Sequence, residues 1–562
     1  MRNHLTPACS GAKLLLLCVS IILLLVLSGC GASSAHPNVF LSGPPSISSL
    51  SPTSGVIGSS VTIAGSNFGT IPSSVTFNGT TASIAGWNDS SIVAKVPSGA
   101  ATGSVVVTVN GTASNAVTFT VVTLPTGSIA PSNFGMQCGI GDTSDCGNAN
   151  ATLIVWPSTQ AQPGMLRLHD TGTQWANIEG AGAGEYQWNS LDAWLNAIAA
   201  HQPLDVIQVF TWVPCWDIPS GAICSSPATS PVGTNVPPVD LTSSGSPSFN
   251  TFVTAFTQHC NSNNKCVKDY IKYYEMWNEW DLQYHWTGTM AQVYQMVAPA
   301  AAIIRSNVKD ANNVSDAVIL TPSATPDSDT GIGYQADLQN WLNYETNHGV
   351  ISDWIAWHSY LTSLQNDQTQ IVTPETEWGS YNVNFLTAQA SSPGWATKPW
   401  ANTETNYNGS PPPGLNYTCP SSSSPDPPVT FSAEDCAGMI ARWQLLHDSN
   451  GAVSVDWYKW NETIGSNPQY ETVYYNLMQY LAGGTFNGPC QFTAANGATT
   501  WTCNFTEENG TQALWVWTPN EASTTYTVPA GYVDYLDLQG NSHTVTAQQS
   551  ITIGVQPFLL EQ

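Results

Sequence analysis

From residue 133 to residue 484 the chain repeats one pattern: a short apolar run, then, in most repeats, an amphipathic helical stretch. The runs lie at 133–141, 164–172, 204–212, 273–281, 317–325, 353–361, 399–407 and 453–460, and they read as strands. Helical periodicity falls between several of them, at 190–201, 248–260, 289–308, 334–348 and 432–448. Eight strands alternating with helices predict a parallel sheet closed into a (β/α)8 TIM barrel. Two insertions rich in Pro, Ser and Gly, 213–246 and 408–431, each follow a strand. Both are therefore expected on the C-terminal face of the barrel, where such folds build their sites.

The flanks follow a different period. Residues 44–122 carry short β-branched runs broken by Gly, Asn and Pro, which predict a β-sandwich. The order PSISSLSPTSG, VTIAGSNFG and a closing VTFTV resembles the IPT/TIG immunoglobulin-like domains. Residues 123–132 read as a linker, and 485–562 return to strands as a C-terminal β-sandwich. The expected fold class is thus multidomain, with the barrel between an N-terminal Ig-like sandwich and a C-terminal one. At the N-terminus Arg2 and Lys13 precede the apolar run 14–27, too short to span a bilayer but suited to a signal peptide. Its end, Leu27-Ser28-Gly29-Cys30, resembles the bacterial lipobox. That implies a signal peptide over 1–29, lipidation at Cys30, a tether over 30–43 and a cell-envelope lipoprotein. Cleavage near Ala32 or Ala35 would instead give a secreted chain.

Cysteine usage agrees with export. Of thirteen Cys, Cys9, Cys18 and Cys30 belong to the leader. The rest fall into close neighbours: Cys138/Cys146, Cys215/Cys224, Cys260/Cys266, Cys419/Cys436 and Cys490/Cys503. An even number in an exported chain favours disulfides. No CxxC occurs and no His stands at ligand spacing beside them, so a metal reading is poor. The 38 Asp and Glu against 12 Lys and Arg give a net charge of −26. Such a surface repels phosphate backbones, so a nucleic-acid partner is not expected. It also opposes docking on anionic lipid, leaving the N-terminal anchor as the expected membrane contact.

Cleaving a glycosidic bond takes two carboxyl groups, one protonated and one ionised. In a barrel both belong at the C-terminal ends of strands. The fourth predicted strand ends in Trp277-Asn278-Glu279 and the seventh in Thr403-Glu404. An Asn-Glu pair there and a Glu closing strand seven resemble glycoside hydrolase clan A. EYQWNSLDAWL, at 185–195, is similar to family 39 in particular. The resemblance covers roughly 133–562. It implies Glu279 as acid/base, Glu404 as nucleophile and Asn278 as a ligand of the substrate 2-hydroxyl. Glu375 and Glu377 are rivals for the nucleophile, but they lie in a polar stretch that reads as a loop or helix start.

An Arg is rarely buried unless paired. Arg167 lies among apolar neighbours on strand two, and the resemblance implies contact with the nucleophile. His169 and Asp170 end the same strand and are expected to line the cleft. His358 and Tyr360 resemble the clan's His-x-Tyr. Trp457 or Trp460, ending strand eight, is the expected sugar-stacking platform, and Trp212, Trp280 and Trp357 are platforms or core. This chemistry needs no metal or organic cofactor, and its partner is an oligo- or polysaccharide. Likeness to family 39 leans toward a β-xyloside or related pentoside. The rival readings are a transglycosylase with the same residues and a non-catalytic glycan-binding surface lipoprotein.

Overall fold

A computed structural model describes residues 43–562, apart from 124–125, 138–161, 223, 225–232, 327–329, 362–372, 407–416, 419–428, 431, 461–462, 496–497 and 520–522. The signal peptide, the lipobox Cys30, Cys138, Cys146 and Cys419 therefore lie outside the described residues. Among those described, no helix is long and apolar enough to cross a membrane.

The eight expected barrel strands all form. They are β1 (Phe134–Gln137), β2 (Met165–Leu168), β3 (Asp205–Val209), β4 (Tyr273–Glu275), β5 (Val318–Leu320), β6 (Ile355–His358), β7 (Trp400–Thr405) and β8 (Ala452–Trp457). Their order is β5-β4-β3-β2-β1-β8-β7-β6, with every pairing parallel. Parallel bridges Leu320–Trp354 and Ala324–Trp357 close β5 onto β6. The strands are shorter than the apolar runs that predict them. Strand β4 stops at Glu275, so Asn278 and Glu279 stand on the turn that leaves it.

Several barrel helices show a local reason to start or a face to bury. Asn189–Ala200 buries Leu191, Trp194, Leu195 and Ile198, one helical stripe facing the sheet. Thr289 with Gln292, and Ser432 with Asp435, form capping boxes before Met290–Asn307 and Ala433–Ser449. Ser246 accepts the Phe249 N–H, and Pro247 opens the helix Pro247–Gln258.

Residues 46–121 form two facing sheets, with Val61, Ile63, Phe77, Ile92, Val105 and Phe119 buried between them. This sandwich is docked on the barrel. Ser59 Oγ lies 2.7 Å from Thr387 Oγ1 on a barrel helix, and Val56 joins the barrel's core. The C-terminal strands from Thr485 to Glu561 make a larger antiparallel sheet, whose Trp515 and Trp517 share that core, and a separate smaller one pairing Thr524–Thr527 with Ser550–Ile553. Disulfides Cys215–Cys224, Cys260–Cys266 and Cys490–Cys503 form as expected, and Cys436 is also disulfide-bonded.

Gly438, in the helix after β7, marks where barrel and C-terminal domain meet. A Cβ there would stand 2.6 Å from the backbone carbonyl oxygen of Val555. Because the obstacle is backbone, Gly438→Ala should force the two bodies apart and cost about 1–3 kcal/mol. Chemical denaturation checks this, and wild-type stability in the variant contradicts the packing.

Candidate active site

Arg167 projects from β2 into the barrel and is fully buried. A buried guanidinium must be neutralised and its donors filled. Nε and Nη2 donate to Glu275 at 3.0 and 2.8 Å. Nη1 donates to Gln137 at 2.6 Å and to Glu404 Oε2 at 2.7 Å, and Nη2 donates to Asn278 Oδ1 at 2.7 Å. One side chain thus ties β1, β2, β4 and β7 together. Burial works against its charge, but Glu275 and Glu404 outweigh it and raise its pKa. Burial likewise opposes the Glu275 carboxylate, and Arg167 more than compensates, holding that carboxyl low.

The expected residues converge here. Glu404 Oε2 takes the Arg167 bond, and Oε1 accepts the Tyr360 hydroxyl. Burial, then the charges of Glu404 and Glu279, push the Tyr360 phenol well above its usual range, so it remains a donor. Glu279 is gripped from two sides: His358 Nδ1 lies 2.7 Å from Oε1, and His285 Nε2 lies 3.0 Å from Oε2. Burial alone would raise the Glu279 carboxyl; the bonds and charges of His285 and His358 more than offset that and hold it well below the usual range. Burial opposes charge on His358 too, yet Glu404, Glu275 and Glu279 push its pKa up to about 9. The proton between Glu279 and His358 therefore rests on the imidazole.

Glu279 and Glu404 keep 8% and 6% of their surface, so neither is sealed off. One oxygen of each, with a His358 ring nitrogen, lie within 4.8 Å of one another. Such a trio has the spacing of a cation site, but Arg167 already stands 2.7 Å from Glu404 and His358 is committed to Glu279. Positive charge already occupies the place an ion would take.

The backbone carries strain at this rim. Asp170, Trp212 and Glu279, just beyond β2, β3 and β4, have φ of 56°, 61° and 43°. Every other non-glycine residue with positive φ among those described is Asn or Gln. A Trp and a Glu in that region cost energy, and such residues cluster at functional sites.

His169 Nδ1 lies 3.2 Å from Gln137 and 3.9 Å from Glu404 Oε2, while its buried Nε2 has no partner among the described residues. Strand eight departs from expectation. Trp457 and Trp460 are both fully buried, and Trp460 packs edge-on against Tyr474 of the last barrel helix. Neither offers a face to a sugar. Tyr458 and Lys459 between them are half-buried, and the Tyr458 hydroxyl donates to Asp170 at 3.2 Å. Trp357 is core as well, stacked on Trp400. Glu375 bonds Arg442 and Trp517 at the C-terminal domain, outside this cluster. Sequence reasoning missed Glu275, Tyr458 and His285. Glu275 carried a signal, a charge inside an apolar strand, whereas His285 sits in a loop that carries none.

Residues 45–121 match the IPT/TIG domain family. They form an IPT/TIG domain. No curated protein matches the chain. Among solved structures, a family 39 glycoside hydrolase from Bacteroides cellulosilyticus is similar at 12% identity, over 87% of this chain and 97% of that one, with a TM-score of 0.48. A monomeric β-xylosidase from Caulobacter crescentus is similar at 12% identity, over 78% and 98%, with a TM-score of 0.45. Likeness at this level says nothing of chemistry.

His358 is charged in the folded site and has an ordinary pKa when unfolded. Its raised pKa contributes stability that is complete below pH about 6.5. That contribution fades as pH rises through about 9. The stability gap between wild type and His358→Gln should therefore be largest near pH 6 and shrink toward pH 9 in denaturation series. A gap that widens with pH contradicts the charged imidazole.

Proposed function

We propose that the protein is a retaining glycoside hydrolase acting on a β-linked glycoside, with a pentoside such as a xyloside favoured. The observation that carries this is the approach of Glu279 and Glu404, with oxygens within 4.8 Å at the C-terminal rim of the barrel. Retaining enzymes set their carboxyl groups about 5–5.5 Å apart; inverting ones leave about 6.5–9.5 Å for a water.

In this reading Glu404 attacks the anomeric carbon. Arg167 and Tyr360 aim and neutralise its two oxygens. The leaving oxygen takes its proton from the Glu279–His358 pair. As negative charge grows on that oxygen, His358 passes its proton across 2.7 Å to Glu279, which delivers it. Once Glu404 is esterified its charge is gone. Glu279, held ionised by its histidines, is then set to take a proton from the water that hydrolyses the glycosyl-enzyme. His169, whose Nε2 has no partner among the described residues, and Asn278 stand ready for hydroxyls of the cleaved sugar. We also read the chain as an exported lipoprotein anchored through Cys30, in keeping with its disulfides.

The test uses nitrophenyl glycosides. Glu404→Ala should abolish turnover, and azide should restore it with inverted anomeric configuration by NMR. Glu279→Ala should lose about 10²–10⁴-fold on poor leaving groups and far less on dinitrophenyl ones. Unchanged activity in Glu404→Ala removes it from the mechanism.

A further inference from the structure

Resting on the glycosidase reading, we infer that Tyr284, with Trp212 and His285 behind it, is a stacking platform for a second sugar unit next to the one cleaved, so that the substrate is an oligo- or polysaccharide. Tyr284 is 68% exposed, the more exposed of only two large aromatic side chains open to solvent among the described residues. A single exposed aromatic is ordinary on a protein surface and decides nothing by itself. What surrounds this one decides.

Its chain neighbour His285 holds Glu279 Oε2 at 3.0 Å, so the ring stands one side chain away from the proposed acid. The ring meets Trp212 at 5.3 Å and His285 at 4.9 Å between centroids, both at 88°. These two edge contacts fix its plane. The loop beneath is also fixed. Leu282 N–H donates to Glu279 O at 3.0 Å, and the His285 and Trp286 N–H groups donate to Leu282 O at 2.9 Å. Trp277 Nε1 donates to His285 O at 3.2 Å, and Thr287 N–H donates to Asn235 O in the β3 insertion at 2.9 Å. The platform is therefore preorganised, which lowers the ordering cost of binding.

The second observation concerns polar atoms. Trp212 Nε1 and His285 Nδ1 are both buried, and neither has a hydrogen-bond partner among the described residues. A buried donor or acceptor left unmade is costly, so each calls for a polar partner. A purely apolar ligand would leave both unsatisfied. An anion would face Glu279 directly. A neutral ring with an apolar face and hydroxyls at its edge satisfies all three features at once, and that is a sugar.

The experiment measures binding apart from turnover. Glu404→Gln serves as the inert background, alone and combined with Tyr284→Ala or Tyr284→Phe. Calorimetry follows the β-1,4-linked hexaoses of xylose, glucose and mannose, and each monosaccharide. At least one hexaose should bind; Tyr284→Ala should weaken it about tenfold, the worth of one aromatic contact, and Tyr284→Phe should bind as the background does. Monosaccharide binding should not change. Equal hexaose binding with and without the ring, equal loss in the Ala and Phe variants, or no hexaose binding at all overturns the platform. Ring-dependent hexaose binding with no hydrolysis of any nitrophenyl glycoside by the wild type keeps the platform and removes the hydrolase.

Discussion

The site depends on one buried cation. Arg167 cannot stay in the barrel without counter-charge, and two carboxylates supply it: Glu275 from below on β4 and Glu404 from the rim on β7. Removing one partner of such a pair typically costs about 3–5 kcal/mol, because the other charge is left stranded. The guanidinium also fixes geometry. Its planar fork fits Glu275 with two parallel bonds, and its remaining donors point at Gln137, Asn278 and Glu404. The carboxylate proposed as nucleophile is thus aimed by the same group that welds four strands together. Stability and chemistry draw on one network.

That network also explains why two glutamates so close together are held so differently. Glu404 is paired with a permanent cation and a phenol, neither of which can take its place as a proton carrier at ordinary pH. Glu279 is paired with imidazoles, which can. In the proposed mechanism this asymmetry of partners, rather than of the carboxyl groups themselves, separates the nucleophile from the proton donor.

Much of this was legible in the sequence. Eight apolar runs located all eight strands. Glu279, Glu404, Arg167, His169, His358, Tyr360 and Asn278 do meet in one place. What failed has physical causes. Trp457 and Trp460 end an apolar strand, and a sequence cannot say which aromatic faces turn inward; both did, and Tyr458 took the rim. Glu275 was passed over because its neighbours suggested a plain strand, although a buried Arg two strands away demanded a second acid. His285 and Tyr284 lie in an irregular turn whose direction is set by Trp277 and Asn235, contacts that no periodicity encodes. The IPT/TIG domain was plain from its turn residues, yet its docking through Ser59 and Val56 onto a barrel helix was not.

The most direct measurement of the central claim is mass spectrometry after exposure to a 2-deoxy-2-fluoro glycoside with a good leaving group, chosen from the nitrophenyl glycoside the protein turns over. Fluorine slows the second half of a double displacement and lets the glycosyl-enzyme accumulate. The account predicts a covalent sugar on the peptide carrying Glu404, esterified through that side chain. An adduct on another residue, or steady turnover of the parent glycoside with no covalent species, contradicts it.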